Sequence, residues 1–195
     1  MSEVITVPNS VLRTPTKKVE VLDKKILDII ARMYQALKTA QNPSGVGLAA
    51  PQIGEPYRIF FLWADPKQEP QLFINPEILE TSQRQQSPLD THLPKKDRGV
   101  YEGCLSIPHH YAPLSRSMSV TVKYLTSSLT PLLSLGEGNK RGEVIEKTST
   151  FSGFPAHIIQ HEVDHLNGIL FIDRVLEQNT KLYKVEGKTW TEITL

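Results

Sequence analysis

The pentapeptide HEVDH at residues 161–165 constrains the fold of this chain more than any other feature of its sequence. An α-helix turns once every 3.6 residues, so His161 and His165 would lie on one helix face and could bind one metal ion together. Glu162 is rotated by about 100° from His161, which puts its carboxylate beside such an ion, where it can exchange protons with water. Two surface histidines on a charged helix would give the same five letters, so the pattern alone leaves that reading open.

Flanking residues set the limits of this helix and of a second one. Pro155 suits the first turn of a helix, and Gly168 is a natural stop after its last turn. A second, amphipathic helix is predicted over residues 23–40, with Asp23 as its N-cap. Its apolar stripe consists of Ile26, Ile29, Ile30, Met33 and Leu37.

Short apolar segments elsewhere predict strands. These segments are 58–63, 71–79 (ending near Pro76), 119–125 and 143–150. Polar, proline- and glycine-containing stretches at 83–100 and 126–142 are predicted to be surface loops, and the tail 181–195 to be a hairpin that turns near Glu186 and Gly187. The mixture predicts an α+β fold, with mostly antiparallel short strands packed around the helix that carries the metal motif. We expect a single domain over residues 1–195.

Two histidines leave a catalytic metal site one ligand short, because such sites normally have three protein ligands and one open position. The carboxylates that follow His165 offer no obvious continuation of the motif; they are Asp173, Glu177, Glu186 and Glu192. Cys104 is the only cysteine of the chain, so it cannot form an internal disulfide, and its thiolate would complete a Cys/His/His set.

Three blocks of sequence closely resemble the three signature motifs of peptide deformylases. They are GVGLAAPQ at 45–52, EGCLS at 102–106 and QHEVDH at 160–165, and they occur in the order and with the spacing of that family. The likeness covers most of residues 5–175, whereas the tail from about residue 176 lies outside it. The resemblance implies hydrolysis of the N-formyl group from the formylmethionine of nascent polypeptides, with release of formate.

The same resemblance implies a metal and its ligands. It implies one divalent ion, usually Fe²⁺ in the cell and often replaced by Zn²⁺ or Ni²⁺ in purified protein. The implied ligands are Cys104, His161 and His165. Glu162 corresponds to the catalytic acid and base, and the Gln52 amide and the backbone N–H of Leu105 correspond to the donors that hold the formyl oxygen.

Substrate-binding positions also follow from the resemblance. They are Val46, Gly47, Gly103, Phe154, His157 and Ile158. Val46 and Gly47 correspond to the segment that pairs with the substrate backbone like an added strand. Position 157 is commonly Arg in this motif and is His here, so the polarity of the methionine pocket is expected to differ.

Other classes of function compete with this interpretation. An HExxH protease would take its third ligand downstream of His165 and would not need Cys104. A cysteine hydrolase would use Cys104 as nucleophile and would stay active in a chelator. A non-catalytic relative would bind formylated N-termini without turnover, although every implied metal-site residue is present here.

Composition restricts the partners. The net charge is +1, from 22 Lys and Arg against 21 Asp and Glu, so no nucleic-acid-binding surface is expected. We expect no secretory signal, because the N-terminal residues show no cationic start followed by a long apolar run, and no window approaches the roughly 20 apolar residues that span a bilayer. We therefore expect a cytoplasmic monomer that meets formyl-Met N-termini near the ribosome.

Overall fold

The computed structural model describes residues 4–40, 44–89, 99–127 and 144–194. The helices are α1 (Lys24–Thr39), α2 (Phe154–Leu166) and α3 (Phe171–Glu177), with 3₁₀ turns at Ser10–Arg13 and Ala50–Ile53. The strands are β1 (Gly47–Ala49), β2 (Ile59–Leu62), β3 (Gln71–Thr81), β4 (Gln85–Gln86), β5 (Glu102–Cys104), β6 (Ile107–Ala112), β7 (Arg116–Ser117), β8 (Ser119–Ser127), β9 (Val144–Ser152), β10 (Leu182–Glu186) and β11 (Thr189–Ile193). The predicted α+β class is confirmed.

Helix α1 forms for the reasons that its sequence gives. The Oδ1 atom of Asp23 accepts a hydrogen bond from the backbone N–H of Ile26 at 2.9 Å, so the predicted N-cap is confirmed. Every residue of the predicted stripe is buried, with at most 4% of its surface exposed. The stripe packs against β1 and β2 in a cluster that includes Leu48, Ile59 and Phe61.

A five-stranded antiparallel sheet packs against the helix that contains His161 and His165. Its strand order is β1-β2-β3-β8-β9, which leaves β1 at one edge of the described sheet. All four residues of β2 are buried, and β8 alternates between buried and half-buried positions, as predicted for a strand with one covered face. Strand β9 covers residues 144–150 of the predicted segment 143–150, whose first residue lies outside the described residues.

The prediction that strand β3 ends near Pro76 is wrong. The strand continues to Thr81, and its register with β8 shifts between Ile74 and Glu77, so the ladder does not need an N–H from the proline. Asn75 adopts a φ of 50°, and its side-chain amide exchanges two hydrogen bonds of 2.8 Å with the backbone of Val19. A bulge tied to a neighbouring segment therefore accommodates the proline within the strand.

A second sheet has the order β11-β10-β6-β5. Strands β10 and β11 form the predicted C-terminal hairpin, and Gly187 takes a φ of 60° in its turn. The hairpin extends the sheet because β10 pairs with β6. The predicted 83–100 loop contains a short strand, because β4 lies within it and pairs with β7. Residues 90–98 and 128–143 lie outside the described residues.

Helix α2 packs on the five-stranded sheet, and the face with its histidines meets β5. Pro155 lies in its first turn, and Gly168 follows its end with a φ of 74°, as predicted. Helix α3 was not predicted. It is 7 residues long, too short for a clear periodicity, and the Asp173 carboxylate caps it by accepting from the Leu170 N–H at 2.8 Å. Among the described helices, none is long and apolar enough to cross a membrane.

Candidate metal centre and active site

Helix α2 presents two imidazoles toward one point. The ring centroids of His161 and His165 lie 4.8 Å apart, as expected for side chains one helical turn from each other. Both residues are buried, with 8% and 1% of their surfaces exposed. The helical pattern therefore brings the two predicted ligands together within the protein interior.

Cys104 reaches the same point from the end of β5. Its Sγ atom lies 3.2 Å from Nε2 of His165, and it is 5% exposed. The potential ligand atoms of Cys104, His161 and His165 all lie within 4.8 Å of one another, and within the described ranges they form the one such cluster of three. The three predicted ligands thus converge.

Electrostatics favour a thiolate in this cluster. Burial opposes ionisation of Cys104, but the neighbouring His165 and His161 more than offset it and lower the pKa of the thiol to about 5. Burial also opposes protonation of His161, yet the Glu102 carboxylate raises the pKa of that imidazole well above its usual range. The surroundings therefore stabilise positive charge beside a sulfur anion, which suits a cation-binding site.

Glu162 lies beside the cluster and is buried. Only 2% of its surface is exposed, and burial raises the pKa of its carboxyl to about 7. Its Oε2 atom has no hydrogen-bond partner among the residues that the structure describes. Gly47 makes room for this carboxylate, because a Cβ at that position would overlap Glu162 and lie 2.8 Å from Cγ2 of Ile158.

Gln52 and Leu105 both lie next to Cys104. The Oε1 atom of Gln52 accepts from the backbone N–H of Ala49 at 2.8 Å, which fixes the orientation of the amide. Its Nε2 then faces Ser106 Oγ at 3.2 Å and Cys104 Sγ at 3.6 Å. Leu105 occupies the turn between β5 and β6. Both residues line the cavity above the cluster.

That cavity has a volume of about 270 Å³. The predicted substrate-binding residues Val46, Gly47, Gly103, Phe154, His157 and Ile158 all line it. Val46 and Phe154 are partly exposed at its mouth, whereas His157 and Ile158 are buried. Because β1 and β5 each lie at the edge of a described sheet, the cavity is bordered by backbone that can pair with an extended chain.

A buried charged network behind the cluster was missed by the sequence analysis. Nδ1 of His161 lies 2.7 Å from Oε1 of Glu102, and Arg116 donates to both oxygens of Glu102 at 2.9 and 2.6 Å. Arg116 also donates to Asp164 at 2.6 Å, and Arg174 donates to both oxygens of Asp164. The available signal was an acidic residue in each of the two motifs that supply the predicted ligands, because a carboxylate that is buried with them requires partners.

His157 belongs to the same surroundings. Its Nε2 lies 2.8 Å from Oε2 of Glu102, but neither ring nitrogen has a partner with hydrogen-bond geometry in the described part of the chain. The ring is 3% exposed and lines the cavity. A polar ring therefore occupies the wall of a pocket that is otherwise largely apolar.

The carboxylates downstream of His165 are engaged elsewhere. Asp173 pairs with Arg13, Glu177 with Arg174, Glu186 with Lys184 and Glu192 with Lys181. None belongs to the described cluster, which uses Cys104 instead. The ligand arrangement of the HExxH protease alternative is therefore not the one that this chain forms.

The fold and the cluster together define a class of protein, the metal-dependent hydrolases, in which three protein ligands leave an open position toward a cavity that holds an acid–base group. Comparison with known proteins identifies the family within this class. The polypeptide deformylase family model matches residues 1–181.

A peptide deformylase of Mesorhizobium japonicum is 38% identical over 88% of this chain and 82% of its own length. One from Borreliella burgdorferi is 37% identical over 93% of each chain. The Met-Ala-Ser-bound crystal structure of a class I type b peptide deformylase from Acinetobacter baumannii has a TM-score of 0.65 and 31% identity, covering 89% of this chain and 99% of that one. The chain belongs to the peptide deformylase family, whose members are metal-dependent hydrolases of protein biosynthesis.

Proposed function

We propose that this enzyme hydrolyses the formyl amide of N-terminal formylmethionine on nascent polypeptides at the Cys104, His161 and His165 cluster, releasing formate. The observation that carries the proposal is the cluster itself, a buried cysteine and two buried histidines next to Glu162 beside an open cavity. Family membership supports the reaction type, and the cavity bordered by two sheet edges supports an extended peptide as substrate.

The donor set fits one divalent cation. In a tetrahedral site, sulfur at about 2.3 Å and nitrogen at about 2.0–2.1 Å from the ion are separated by about 3.5 Å. The 3.2 Å between Cys104 Sγ and His165 Nε2 is close to that separation. The lowered pKa of Cys104 favours the thiolate that a metal requires, and the proton that the raised pKa of His161 retains leaves when the metal binds. Mixed thiolate–imidazole donors suit Fe²⁺, Ni²⁺ and Zn²⁺. Of these we propose Fe²⁺ in the cell, following the family resemblance.

When bound, the cation supplies Lewis acidity, which lowers the pKa of water from 15.7 to about 7 and polarises the formyl oxygen. Glu162 accepts the proton of the attacking water and delivers it to the departing amine. Burial raises the pKa of this carboxyl to about 7 in the metal-free site, and a carboxyl whose pKa is close to neutral pH can both accept and donate a proton. The Gln52 amide and the backbone N–H of Leu105 donate to the formyl oxygen as charge builds on it, and one such donor typically contributes about 2.7–4 kcal/mol.

We assign the substrate backbone to the β1 edge at Val46 and Gly47, and to Gly103 on the opposite border. The methionine side chain would enter the space among Phe154, His157 and Ile158, residues that line the cavity. His157 adds a polar ring nitrogen there that can face the thioether sulfur, a weak hydrogen-bond acceptor.

The site and composition also suit a cytoplasmic monomer that acts on chains emerging near the ribosome, because the net charge of +1 offers no strong surface field for nucleic acid or membrane. Sedimentation at several concentrations tests the oligomeric state directly. Concentration-dependent dimerisation would contradict that part of the proposal.

The deciding experiment measures formate released from formyl-Met-Ala-Ser and acetate released from acetyl-Met-Ala-Ser by anaerobically purified protein. We expect rapid release from the formyl peptide only, because an acetyl group carries a methyl in place of the formyl hydrogen and must fit against the buried side chains of Cys104, His161 and Glu162. A chelator should abolish the activity, and one divalent ion per chain should restore it. Activity that persists without metal but disappears on alkylation of Cys104 would instead support the cysteine hydrolase.

A further inference from the structure

Four aromatic side chains share one face of the four-stranded sheet. Tyr101, Tyr111, Tyr183 and Trp190 form this aromatic face, and the Trp190 ring lies close to the other three rings. The Trp190 ring centroid lies 5.2 Å from that of Tyr101, 5.6 Å from that of Tyr111 and 5.9 Å from that of Tyr183. Trp190 thus connects the C-terminal hairpin with the strands beside the Cys104, His161 and His165 cluster.

Strand register places these rings on the same side as Gly103. Gly103 is directly opposite Tyr111, and Tyr111 is directly opposite Tyr183, so the three residues share a face. The Tyr111 ring lies over Gly103, where a Cβ would come within 2.6 Å of it. Their neighbours along the strands, Ala112 after Tyr111 and Leu182 before Tyr183, point to the opposite face of the sheet and are buried in the core.

The aromatic face is continuous with the candidate active site. Tyr101 and Tyr111 line the cavity above Cys104. Trp190 and Tyr101 remain 48% and 38% exposed, so their packing leaves apolar ring surface open to solvent beside the mouth of that cavity. An exposed apolar patch adjoining a binding cleft is typical of an interaction surface. Strands β10 and β11 also begin beyond the residues that the family model matches.

We propose that the aromatic face binds the polypeptide segment that follows formylmethionine, with a preference for an aromatic or large apolar side chain at the fourth residue. This rests on the proposed function, because the occupant is the substrate itself. Strands lie about 4.8 Å apart, so Tyr183 is about 10 Å across the sheet from Gly103. A substrate that leaves the β5 edge after methionine and crosses the aromatic face at about 3.3 Å per residue covers that distance in three residues. A ring that stacks there should gain about two- to tenfold in affinity.

The test compares formyl-Met-Ala-Ala-Phe-Ala with formyl-Met-Ala-Ala-Ala-Ala as substrates. We expect wild-type kcat/KM to favour the phenylalanine peptide by about two- to tenfold. Trp190→Ala should abolish this preference while hydrolysing the short substrate formyl-Met-Ala at the wild-type rate. Trp190→Phe should retain most of the preference. Leu176→Ala is the matched control, because Leu176 is a 62% exposed apolar residue on α3, which packs on the other side of the sheet.

The outcomes separate the two proposals. Equal kcat/KM for both pentapeptides in the wild type, or a preference unchanged in Trp190→Ala, would overturn the role of the aromatic face and leave deformylation standing. A Trp190→Ala variant that loses as much activity toward formyl-Met-Ala as toward the pentapeptides would show that Trp190 only supports the fold near the site. That result would also overturn the role of the aromatic face. A wild-type enzyme that releases no formate from formyl-Met-Ala would overturn the proposed function and this inference with it.

Discussion

Replacing Glu102 by Gln should lower both the free energy of unfolding and the affinity for metal. The Glu102 carboxylate contacts the buried Arg116 guanidinium on one side and the predicted ligand His161 on the other. Glu102 is 4% exposed and accepts two hydrogen bonds from Arg116, and its other close contacts are with His161 and His157. Removing one partner of a buried ion pair costs about 3–5 kcal/mol. For a chain of this size each kcal/mol lowers Tm by about 2–4 °C, so we expect a decrease of about 6–20 °C.

The same substitution should lower metal affinity without removing a ligand. Glu102 fixes the ring of His161 through Nδ1, which leaves Nε2 to face the cluster. Loss of such an orienting partner typically costs about 10–100-fold in metal affinity. Competition with a chromophoric chelator measures this Kd, and thermal unfolding with and without metal measures the change in stability.

Arg174→Gln provides the control for the Glu102 variant. Arg174 ends the same network on Asp164, but its side chain is 28% exposed and does not contact a predicted ligand. We expect a loss of about 1.5–3 kcal/mol, the usual range for hydrogen bonds to a charged group, because Asp164 keeps its hydrogen bond from Arg116. The metal Kd should stay close to the wild-type value. If Glu102→Gln bound metal as tightly as the wild type, the orienting role would be wrong. If its Tm were unchanged, the reasoning on the buried ion pair would be refuted.

Four further substitutions and treatments test the site. Cys104→Ser should remove the sulfur neighbour at about 2.3 Å from the X-ray absorption spectrum of the bound metal; an unchanged sulfur shell would contradict ligation. Glu162→Gln should keep the metal and lose about 10²–10⁴ in kcat; retention of half the wild-type kcat would remove its acid–base role. Gly47→Ala should reduce kcat/KM at least tenfold with normal metal content, because its Cβ would come within 2.8 Å of Ile158 and displace Glu162; a wild-type value would contradict this. In air, the Fe²⁺ form should lose activity much faster than the Ni²⁺ form, through oxidation of the iron or of the Cys104 thiolate; equal half-lives would refute iron-linked lability.

Much of the site could be predicted from sequence because its geometry is local. Helical periodicity fixes His161 and His165 on one face whatever the rest of the chain does. Cys104 lies 61 positions before His165, so helical periodicity could not predict it. It was predicted from the number of ligands that a catalytic metal requires and from the motif around it. The structure brings these residues together in one buried cluster.

The features that were missed depend on non-local pairing. Arg116 reaches Glu102 and Asp164 only because β7 and β5 lie beside α2, and no periodicity encodes that arrangement. Strand β3 continues through Pro76 because of a bulge, which is held by the hydrogen bonds between the Asn75 side chain and the backbone of Val19. The position of Trp190 beside Tyr101 likewise follows from the pairing of β10 with β6, which the hairpin pattern alone does not specify.

The central claim is that a single metal held by Cys104, His161 and His165 is needed for deformylation, and a metal titration tests it most directly. Metal-free protein is mixed anaerobically with increasing Fe²⁺, and the rate of formate release from formyl-Met-Ala-Ser is measured at each ratio. The account predicts no activity at zero metal, a linear rise, a plateau at one ion per chain, and no rise in a Cys104→Ala variant. Full activity of the metal-free protein, or of the Cys104→Ala variant at the same ratio, would contradict it.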